Sequence, residues 1–352
     1  MSGRGRRRPA GGRARSIASA IGCVAVLGIG AAVALQAPAQ GEDREAAAAA
    51  PGGKAMEAAP ANPAAPAGSE SIAAAALYDT VRAYVEAGPA AEGLPSKDRV
   101  RELIVNRLEA AGARPRVLPF SVVTPAGPWD LENVFVSITP AAKDRVLLGA
   151  HWDTRLWAER DPDPARRDQP ITGANDGGSG VAVLIGLAAE LAKAAPPEGL
   201  GVDLAFFDGE EGFEGNLREW FYGSKELAGR WDRTGVALPR AVVIVDMVGR
   251  KGLRIRREGI GNARPAGRRI LDRIFAIAKE KGYRSFVDEP GIEVLDDHLP
   301  FLARGIPAVD LIDLDDPHWH THGDTLDKIE PQAMAEVADV LLTWIRRGAP
   351  SQ

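Results

Sequence analysis

The spacing of apolar residues alternates between the period of a helix and that of a strand. Helices are predicted over Ile72–Glu86, Lys97–Ala111, Val181–Lys193 and Trp220–Arg230, and around apolar stripes from Ile270 to Ala278 and from Val337 to Ile345, the last opened by Pro331. Strand-like runs occur at Arg116–Val123, Leu131–Ser137, Val146–Ala150, Val202–Phe207, Ala241–Val245 and Ala308–Ile312.

Continuous apolar strands between helices are typical of a sheet that is buried on both faces. We therefore expect a three-layer α/β/α sandwich with a mostly parallel mixed central sheet. In such sheets ligands bind beyond the carboxyl ends of the strands, so the loops that follow the strands are the place to look for chemistry.

The first 39 residues have the order of an export signal. Six arginines precede an apolar run from Ile17 to Leu35, and Ala37-Pro38-Ala39 follows as a cleavage pattern. The apolar run is nearly long enough to span a membrane. We predict that residues 1–39 are a signal peptide or an N-terminal membrane anchor, which places the rest of the chain in the periplasm or outside the cell. Residues 40–68 are rich in Ala and Pro and are predicted to be a disordered linker, with the catalytic domain at 69–350.

Composition narrows the function classes. The chain has 352 residues and a formal net charge of -5, so the overall charge gives no reason to expect a nucleic-acid partner. Cys23 is the single cysteine, which excludes a disulfide within the chain and a zinc site built from thiolates. A metal would have to be held by His, Asp or Glu.

Acidic and imidazole side chains follow the predicted strands. In chain order they are His151 and Asp153, Asp208 to Glu211, Asp246, and Asp313 with Pro317 to His322. All five histidines lie in these loops or beside Asp296 and Asp297, and Asp176 lies in a glycine-rich segment that opens the buried helix. We therefore expect these side chains to gather at one edge of the sheet.

Their chemistry fits a metal centre. The natural ligands are His151, one of the last three histidines, Asp176, Glu211 and Asp246. Mixed His and carboxylate coordination with an open position is how catalytic zinc is held. Adjacent Glu210 and Glu211 point in different directions, so one can bind metal while the other moves a proton. Asp153 fits a partner that orients an imidazole.

Each of these features has a simpler interpretation when taken alone. A single aspartate after a strand is usually a helix cap or a turn residue, which suffices for Asp313 and Asp315. The Gly-Gly-Ser-Gly run at 177–180 is typical of a turn and lacks the lysine of a nucleotide-binding loop. His318 and His322 fit surface or supporting positions better than ligand positions. The coincidence of the motifs after several strands is what favours a catalytic site.

Seven segments carry a family resemblance: Gly149–Arg155, Gly173–Gly180, Phe206–Glu211, Tyr222–Lys225, Asp246–Gly249, Asp296–Phe301 and Trp319–Thr321. Together they resemble the zinc-dependent glutaminyl cyclases and their relatives, the di-zinc aminopeptidases of peptidase family M28. The resemblance covers nearly all of the folded part. It implies a zinc-aminopeptidase-like fold.

The resemblance also implies roles for single residues. The zinc ligands would be Asp176, Glu211 and His320. Glu210 would be the catalytic acid/base, Asp246 and Asp296 would share a hydrogen-bond network with it, and Trp319 would form an apolar wall against the substrate. One zinc ion per chain suffices for this reaction, which converts the N-terminal glutamine of a peptide or protein to pyroglutamate and releases ammonia.

The alternative is a di-zinc aminopeptidase that removes N-terminal residues from peptides. Asp176 would then bridge two ions, with His151 and Asp246 as further ligands, and all of these residues are present. Three features favour the cyclase: Trp319 directly before His320, the doubled aspartate before His298, and the segment Thr154–Pro170. Gly212–Glu219 departs from the cyclases and leaves Trp220 without a role. A non-catalytic binding relative is disfavoured because no ligand has been lost.

Overall fold

The computed structural model describes residues 72–213 and 217–350. Its helices are α1 (Ala74–Ala87), α2 (Pro95–Ala110), α3 (Gly178–Lys193), α4 (Tyr222–Gly229), α5 (Gly259–Asn262), α6 (Pro265–Lys281), α7 (His298–Ala303) and α8 (Pro331–Arg346). Its strands are β1 (Arg116–Thr124), β2 (Gly127–Ile138), β3 (Asp144–His151), β4 (Leu200–Phe207), β5 (Ala241–Val245), β6 (Ile255–Arg257), β7 (Phe286–Pro290) and β8 (Ala308–Leu311).

Six strands form the central sheet in the order β1-β2-β4-β3-β5-β8. β3, β4, β5 and β8 run parallel, whereas β1 and β2 are antiparallel to their neighbours. The predicted mostly parallel mixed sheet is therefore confirmed. The carboxyl ends of the four parallel strands lie at the same edge, which brings their following loops together.

The two faces of the sheet carry different helices. Along β3, Val146, Leu148 and Ala150 belong to one large core that also contains residues of α1, α2, α3, α6 and α8. Leu147 points to the opposite face and packs in a smaller core with residues of α4 and α7. Because successive side chains of a strand point to opposite faces, a strand that is apolar throughout needs cover on both sides. This arrangement is the predicted three-layer α/β/α sandwich.

Four short elements are not predicted by the hydrophobic pattern. β6 and β7 form a separate two-stranded parallel sheet, α5 has 4 residues, and α7 has 6 residues including Pro300. Elements of this length contain too few positions for a period to be recognised. α4 begins at Tyr222 and not at Trp220, because Phe221 adopts a left-handed backbone with φ 59°.

The predicted signal or anchor at 1–39 and the linker at 40–68 lie outside the described residues. Within residues 72–213 and 217–350, no helix is both long enough and apolar enough to cross a membrane.

Candidate active site

One group of potential metal ligands forms where the loops after β4 and β8 approach the start of α3. His320 Nε2 lies 3.7 Å from Asp176 Oδ2 and 3.6 Å from Glu211 Oε2. All three side chains are buried. These separations are longer than hydrogen bonds, and they match the ~3.3–3.6 Å expected between atoms that share one tetrahedral zinc at about 2.0–2.2 Å. We call this the Glu211–His320 group.

A second group shares Asp176 and includes the last residue of β3 and the first residue after β5. His151 Nε2 lies 3.2 Å from Asp176 Oδ1 and 3.1 Å from Asp246 Oδ1. Both distances are within hydrogen-bond range. The ligand atoms of each group lie within 4.8 Å of one another, so both groups have the geometry to hold an ion. We call this second set the His151–Asp246 group.

The two adjacent glutamates are held by Asp153. Its carboxylate accepts the backbone N–H groups of Glu210 at 3.0 Å and of Glu211 at 3.1 Å, which joins the ends of β3 and β4. The predicted contact of the Asp153 side chain with an imidazole is long, since its Oδ1 lies 3.8 Å from His151 Nδ1. His151 Nδ1 is instead 3.1 Å from the backbone carbonyl oxygen of Asp153. The Asp153 carboxylate supplies a partner for two buried backbone N–H groups beyond the end of β4.

Asp176 is positioned by a tight turn and by a buried carboxylate. Gly173 has φ 59°, and a Cβ there would lie 2.3 Å from the carbonyl oxygen of Asp176, so only glycine allows this turn. Asp324 accepts the backbone N–H groups of Asn175 at 2.8 Å and of Asp176 at 3.0 Å. Asp324 was not among the predicted site residues, since its position after the last histidine gives no sign of its partner.

Backbone strain is concentrated around the site. Of the five non-glycine residues with positive φ in the described ranges, His320 is itself a potential ligand, Met247 follows Asp246, and Phe221 follows Trp220. Left-handed backbone is costly for side chains of this size and persists where surrounding contacts enforce it. In this chain the strained positions lie at or next to residues whose side chains meet at the candidate site.

Two indoles flank His320. The Trp319 ring lies 4.3 Å from the imidazole, and the Trp220 ring is stacked on it at 6.4 Å with an angle of 11°. Trp220 Nε1 donates to the Phe213 carbonyl oxygen at 2.7 Å, and the guanidinium of Arg155 lies 4.7 Å from its ring centroid. The sequence left Trp220 without a role. In the structure Trp220 precedes α4, and its ring lies beside His320.

Asp296 and Asp246 lie in one acidic environment with Glu210. Burial raises the pKa of Asp246 to about 6, with repulsion from Asp296 adding to the effect and His151 opposing it. Asp310 of β8, which the motifs did not indicate, is fully buried and interacts electrostatically with Asp296. Burial raises the pKa of Asp310 well above its usual range, and the charge of Asp296 raises it further. The sequence feature that could have indicated Asp310 is its position inside an otherwise apolar strand.

The carboxylates of the site repel one another. Burial raises the pKa of Glu211 to about 8, and the charge of Asp176 adds to the effect while His320 and Arg155 oppose it. Burial also raises the pKa of Glu210 well above its usual range, with Glu211 adding to it and His151 opposing it. A divalent cation would relieve this repulsion and favour the charged carboxylates.

The residues present fit a metal ion. Asp176 Oδ2 is buried and has no hydrogen-bond partner among the described residues, and it faces His320 and the neighbouring Glu211. A buried carboxylate oxygen without a partner is costly, and a cation shared with these two ligands would satisfy it. The chemistry of the donor set, one imidazole and two carboxylates, is that of catalytic zinc sites.

The family of this chain is shown by a family model whose match covers the predicted site residues. The model of peptidase family M28 matches residues 133–345, which is more than half of the chain. The chain belongs to this family. The match includes every predicted site residue from His151 to His320, and it confirms the family membership expected from the sequence motifs.

Relatives of two kinds are similar to this M28 protein. A solved glutaminyl cyclase of Bacteroides thetaiotaomicron bound to N-acetylhistamine is 30% identical and covers 78% of this chain and 98% of that chain, with a TM-score of 0.74. A leucine aminopeptidase precursor from the same organism is also 30% identical, covering 78% and 97% with a TM-score of 0.74. The Mus musculus glutaminyl-peptide cyclotransferase-like protein is 27% identical over 282 residues, 70% of this chain and 69% of that relative. These comparisons confirm the predicted fold and an enzyme of this kind.

Proposed function

We propose that this chain is a zinc-dependent glutaminyl-peptide cyclotransferase. In this reaction the α-amine nitrogen of an N-terminal glutamine forms a bond to its own side-chain amide carbon. The bond from that carbon to the amide nitrogen breaks, and ammonia leaves with a proton taken from the amine. No water is consumed, and the product is a peptide that begins with pyroglutamate. The similarity to solved glutaminyl cyclases over 98% of their length supports this assignment.

The metal site used would be the Glu211–His320 group, with one zinc ion per chain. Zinc bound there would polarise the side-chain amide carbonyl and stabilise the negative charge that develops on its oxygen. Asp176, Glu211 and His320 would hold the ion and leave a position open for the substrate oxygen.

Glu210 would move the proton. Its buried carboxyl adjoins the metal ligand Glu211, and its raised pKa favours a group that accepts a proton from the amine and returns it to the departing nitrogen. Asp296 and Asp246 would orient the amine and tune Glu210 through their charges. Because both reacting groups belong to one residue, holding its two ends close would supply much of the rate. Trp319 would form the apolar wall of the pocket, and Trp220 a second indole beside His320.

The observation that favours the cyclase is the difference between the two ligand groups. In the His151–Asp246 group, His151 Nε2 is hydrogen-bonded to Asp246 Oδ1 at 3.1 Å and lies 3.2 Å from Asp176 Oδ1, so the imidazole has a partner without an ion. In the Glu211–His320 group Asp176 Oδ2 has no such partner among the described residues. A metal ion in the Glu211–His320 group would give this buried oxygen a partner.

The second candidate is a di-zinc aminopeptidase. It is favoured by the ligand spacing of the His151–Asp246 group and by the similarity to a leucine aminopeptidase precursor. Here His151 and Asp246 would hold a second ion, and water rather than the α-amine would be the nucleophile.

Incubation of the purified protein with a glutamine-initiated peptide separates the two functions. The cyclase releases ammonia and yields a peptide that is lighter by one ammonia, with all residues retained. The aminopeptidase yields free glutamine and a shorter peptide. A matched peptide that begins with alanine is the control, because it can be hydrolysed but cannot cyclise. Hydrolysis of both peptides without ammonia release would overturn the cyclase assignment.

The location belongs to the same proposal. We propose that residues 1–39 direct export or anchor the chain, that residues 40–68 act as a tether, and that the substrates are peptides or proteins with an N-terminal glutamine met outside the cytoplasm. Expression of the full chain followed by fractionation and N-terminal sequencing tests this. A mature chain that begins near residue 40 would support cleavage, and an intact chain in the cytosolic fraction would contradict export.

A further inference from the structure

The segment after β3 contacts two of the three potential ligands of the Glu211–His320 group, namely Glu211 and His320. Glu159 Oε1 contacts His320 Nδ1, the ring nitrogen that faces away from the ligand site. The other oxygen, Oε2, accepts a hydrogen bond from Arg155 Nε at 3.0 Å. Arg155 Nη1 lies 3.5 Å from Glu211 Oε2. A continuous chain of polar contacts therefore runs from Glu211 through Arg155 and Glu159 to His320.

We infer that Glu159 and Arg155 are positioning residues that set the geometry and affinity of the metal site by joining these two ligands. The inference rests on the metal site of the proposed function and deepens it. A carboxylate on one ring nitrogen fixes the tautomer of an imidazole and makes the other nitrogen a better ligand. Because Glu159 accepts a hydrogen bond from Nδ1–H of His320, Nε2 is left as the ligand atom.

Arg155 is suited to join the two ligands because it is rigidly held. Its side chain is 1% exposed, and its guanidinium lies between the rings of Trp157 at 5.8 Å and Trp220 at 4.7 Å. A planar guanidinium can serve two carboxylates at once in a fixed geometry, which the ammonium of a lysine cannot reproduce. Arg155 also offsets part of the negative charge gathered around the site.

The residues after Glu159 attach the same segment to the loop that carries His320. The guanidinium of Arg160 lies 3.9 Å from the ring centroid of Trp319. Asp161 Oδ2 accepts the backbone N–H of His322 at 2.9 Å and is 2.8 Å from its Nδ1. Three consecutive residues thus contact a ligand and both of its flanking segments, which restricts where the left-handed backbone of His320 can move.

The contacts are one-sided. Arg155 contacts Glu211 and donates to the backbone carbonyl oxygen of the adjacent Gly212, and Glu159 contacts His320. His151 is instead oriented through the backbone carbonyl of Asp153. Loss of Glu159 should therefore act on the zinc held by Glu211 and His320.

The test is zinc affinity, measured on the full chain without substrate by competition with a chelator of known affinity. We expect Glu159→Ala to weaken zinc binding by roughly 10- to 100-fold, the usual effect of removing a partner of a metal-bound histidine. Glu159→Gln keeps an oxygen acceptor without the charge and should give a smaller loss. Glu280→Ala is the matched control, because Glu280 makes a two-hydrogen-bond pair with Arg347 on the exposed surface.

Thermal unfolding of the metal-free variants separates positioning from folding. We expect metal-free Glu159→Ala to unfold near the wild-type temperature. If it does not fold, Glu159→Gln and Arg155→Lys carry the test, each with an expected loss of several-fold in zinc affinity. Wild-type affinity in the folded variants, or an equal loss in Glu280→Ala, would overturn the inference. A wild-type enzyme that binds zinc but releases no ammonia would overturn the proposed function alone.

Discussion

The Glu211–His320 group and the His151–Asp246 group share Asp176 and lie at the same edge of the sheet, but their surroundings differ. In the His151–Asp246 group, His151 Nε2 is hydrogen-bonded to Asp246 and lies 3.2 Å from Asp176 Oδ1. In the Glu211–His320 group, His320 Nε2 lies 3.6–3.7 Å from one oxygen of each carboxylate. Other side chains contact these ligands on the side away from the candidate ion site. The same residue types can therefore form either a hydrogen-bonded cluster or a site for an ion, depending on what supports them.

The largest expected effect comes from removing a ligand of the Glu211–His320 group. Glu211→Ala should reduce bound zinc from one ion per chain to nearly none and abolish turnover, because two remaining ligands cannot hold the ion at ordinary concentrations. Metal analysis after dialysis measures this. Full zinc content in Glu211→Ala would show that the ion lies elsewhere.

Glu210→Gln separates metal binding from proton transfer. Its neighbour Glu211 is untouched, so zinc content should stay at the wild-type level, whereas kcat should fall by about 100-fold or more, the scale for a positioned acid/base. Parallel zinc analysis and ammonia release check both parts. Wild-type turnover in this variant would exclude Glu210 as the group that moves the proton.

His151→Ala tests the other group directly. We expect the variant to keep its zinc ion and to lose about tenfold in kcat/KM, since Asp246 loses its hydrogen-bond partner His151. The readout is zinc per chain together with rate. A fall from two ions to one, with loss of peptide hydrolysis, would favour the di-zinc aminopeptidase.

The indoles should give the smallest effects. Trp319→Ala is expected to raise KM by roughly tenfold, about 1.4 kcal/mol, because the pocket loses apolar contact with the substrate while the ligands remain. Trp220→Ala should have a smaller effect on KM. Steady-state kinetics on one glutamine peptide compares the two. An effect of Trp220→Ala confined to zinc affinity would place its role with His320 rather than with substrate.

Much of the fold could be predicted because the long elements repeat a clear pattern. The almost wholly apolar stretch Val181–Lys193 lies in α3, and the run Ala241–Val245 is β5. The short elements β6 and α7 could not be predicted, since three to six residues contain no usable period. The boundary of α4 was set by the backbone of Phe221, which no periodicity reveals.

The candidate site divides in the same way. Residues at or shortly after the carboxyl ends of strands, such as His151, Glu211 and Asp246, could be found from their position. The partners that support them could not. Asp324 and Glu159 are far from Asp176 and His320 in sequence, and each resembles an ordinary loop carboxylate until the chain is folded.

The sequence by itself determined the order of the long elements, the layered fold class and the chemistry of the potential ligands, because hydrophobic spacing and side-chain type are local properties of the chain. Only the tertiary structure decided which ligands face one another, how Asp153 is used, and how Glu159 and Arg155 join Glu211 to His320. Those contacts link residues up to 161 positions apart, and their distances depend on how the loops of separate strands pack at one edge of the sheet.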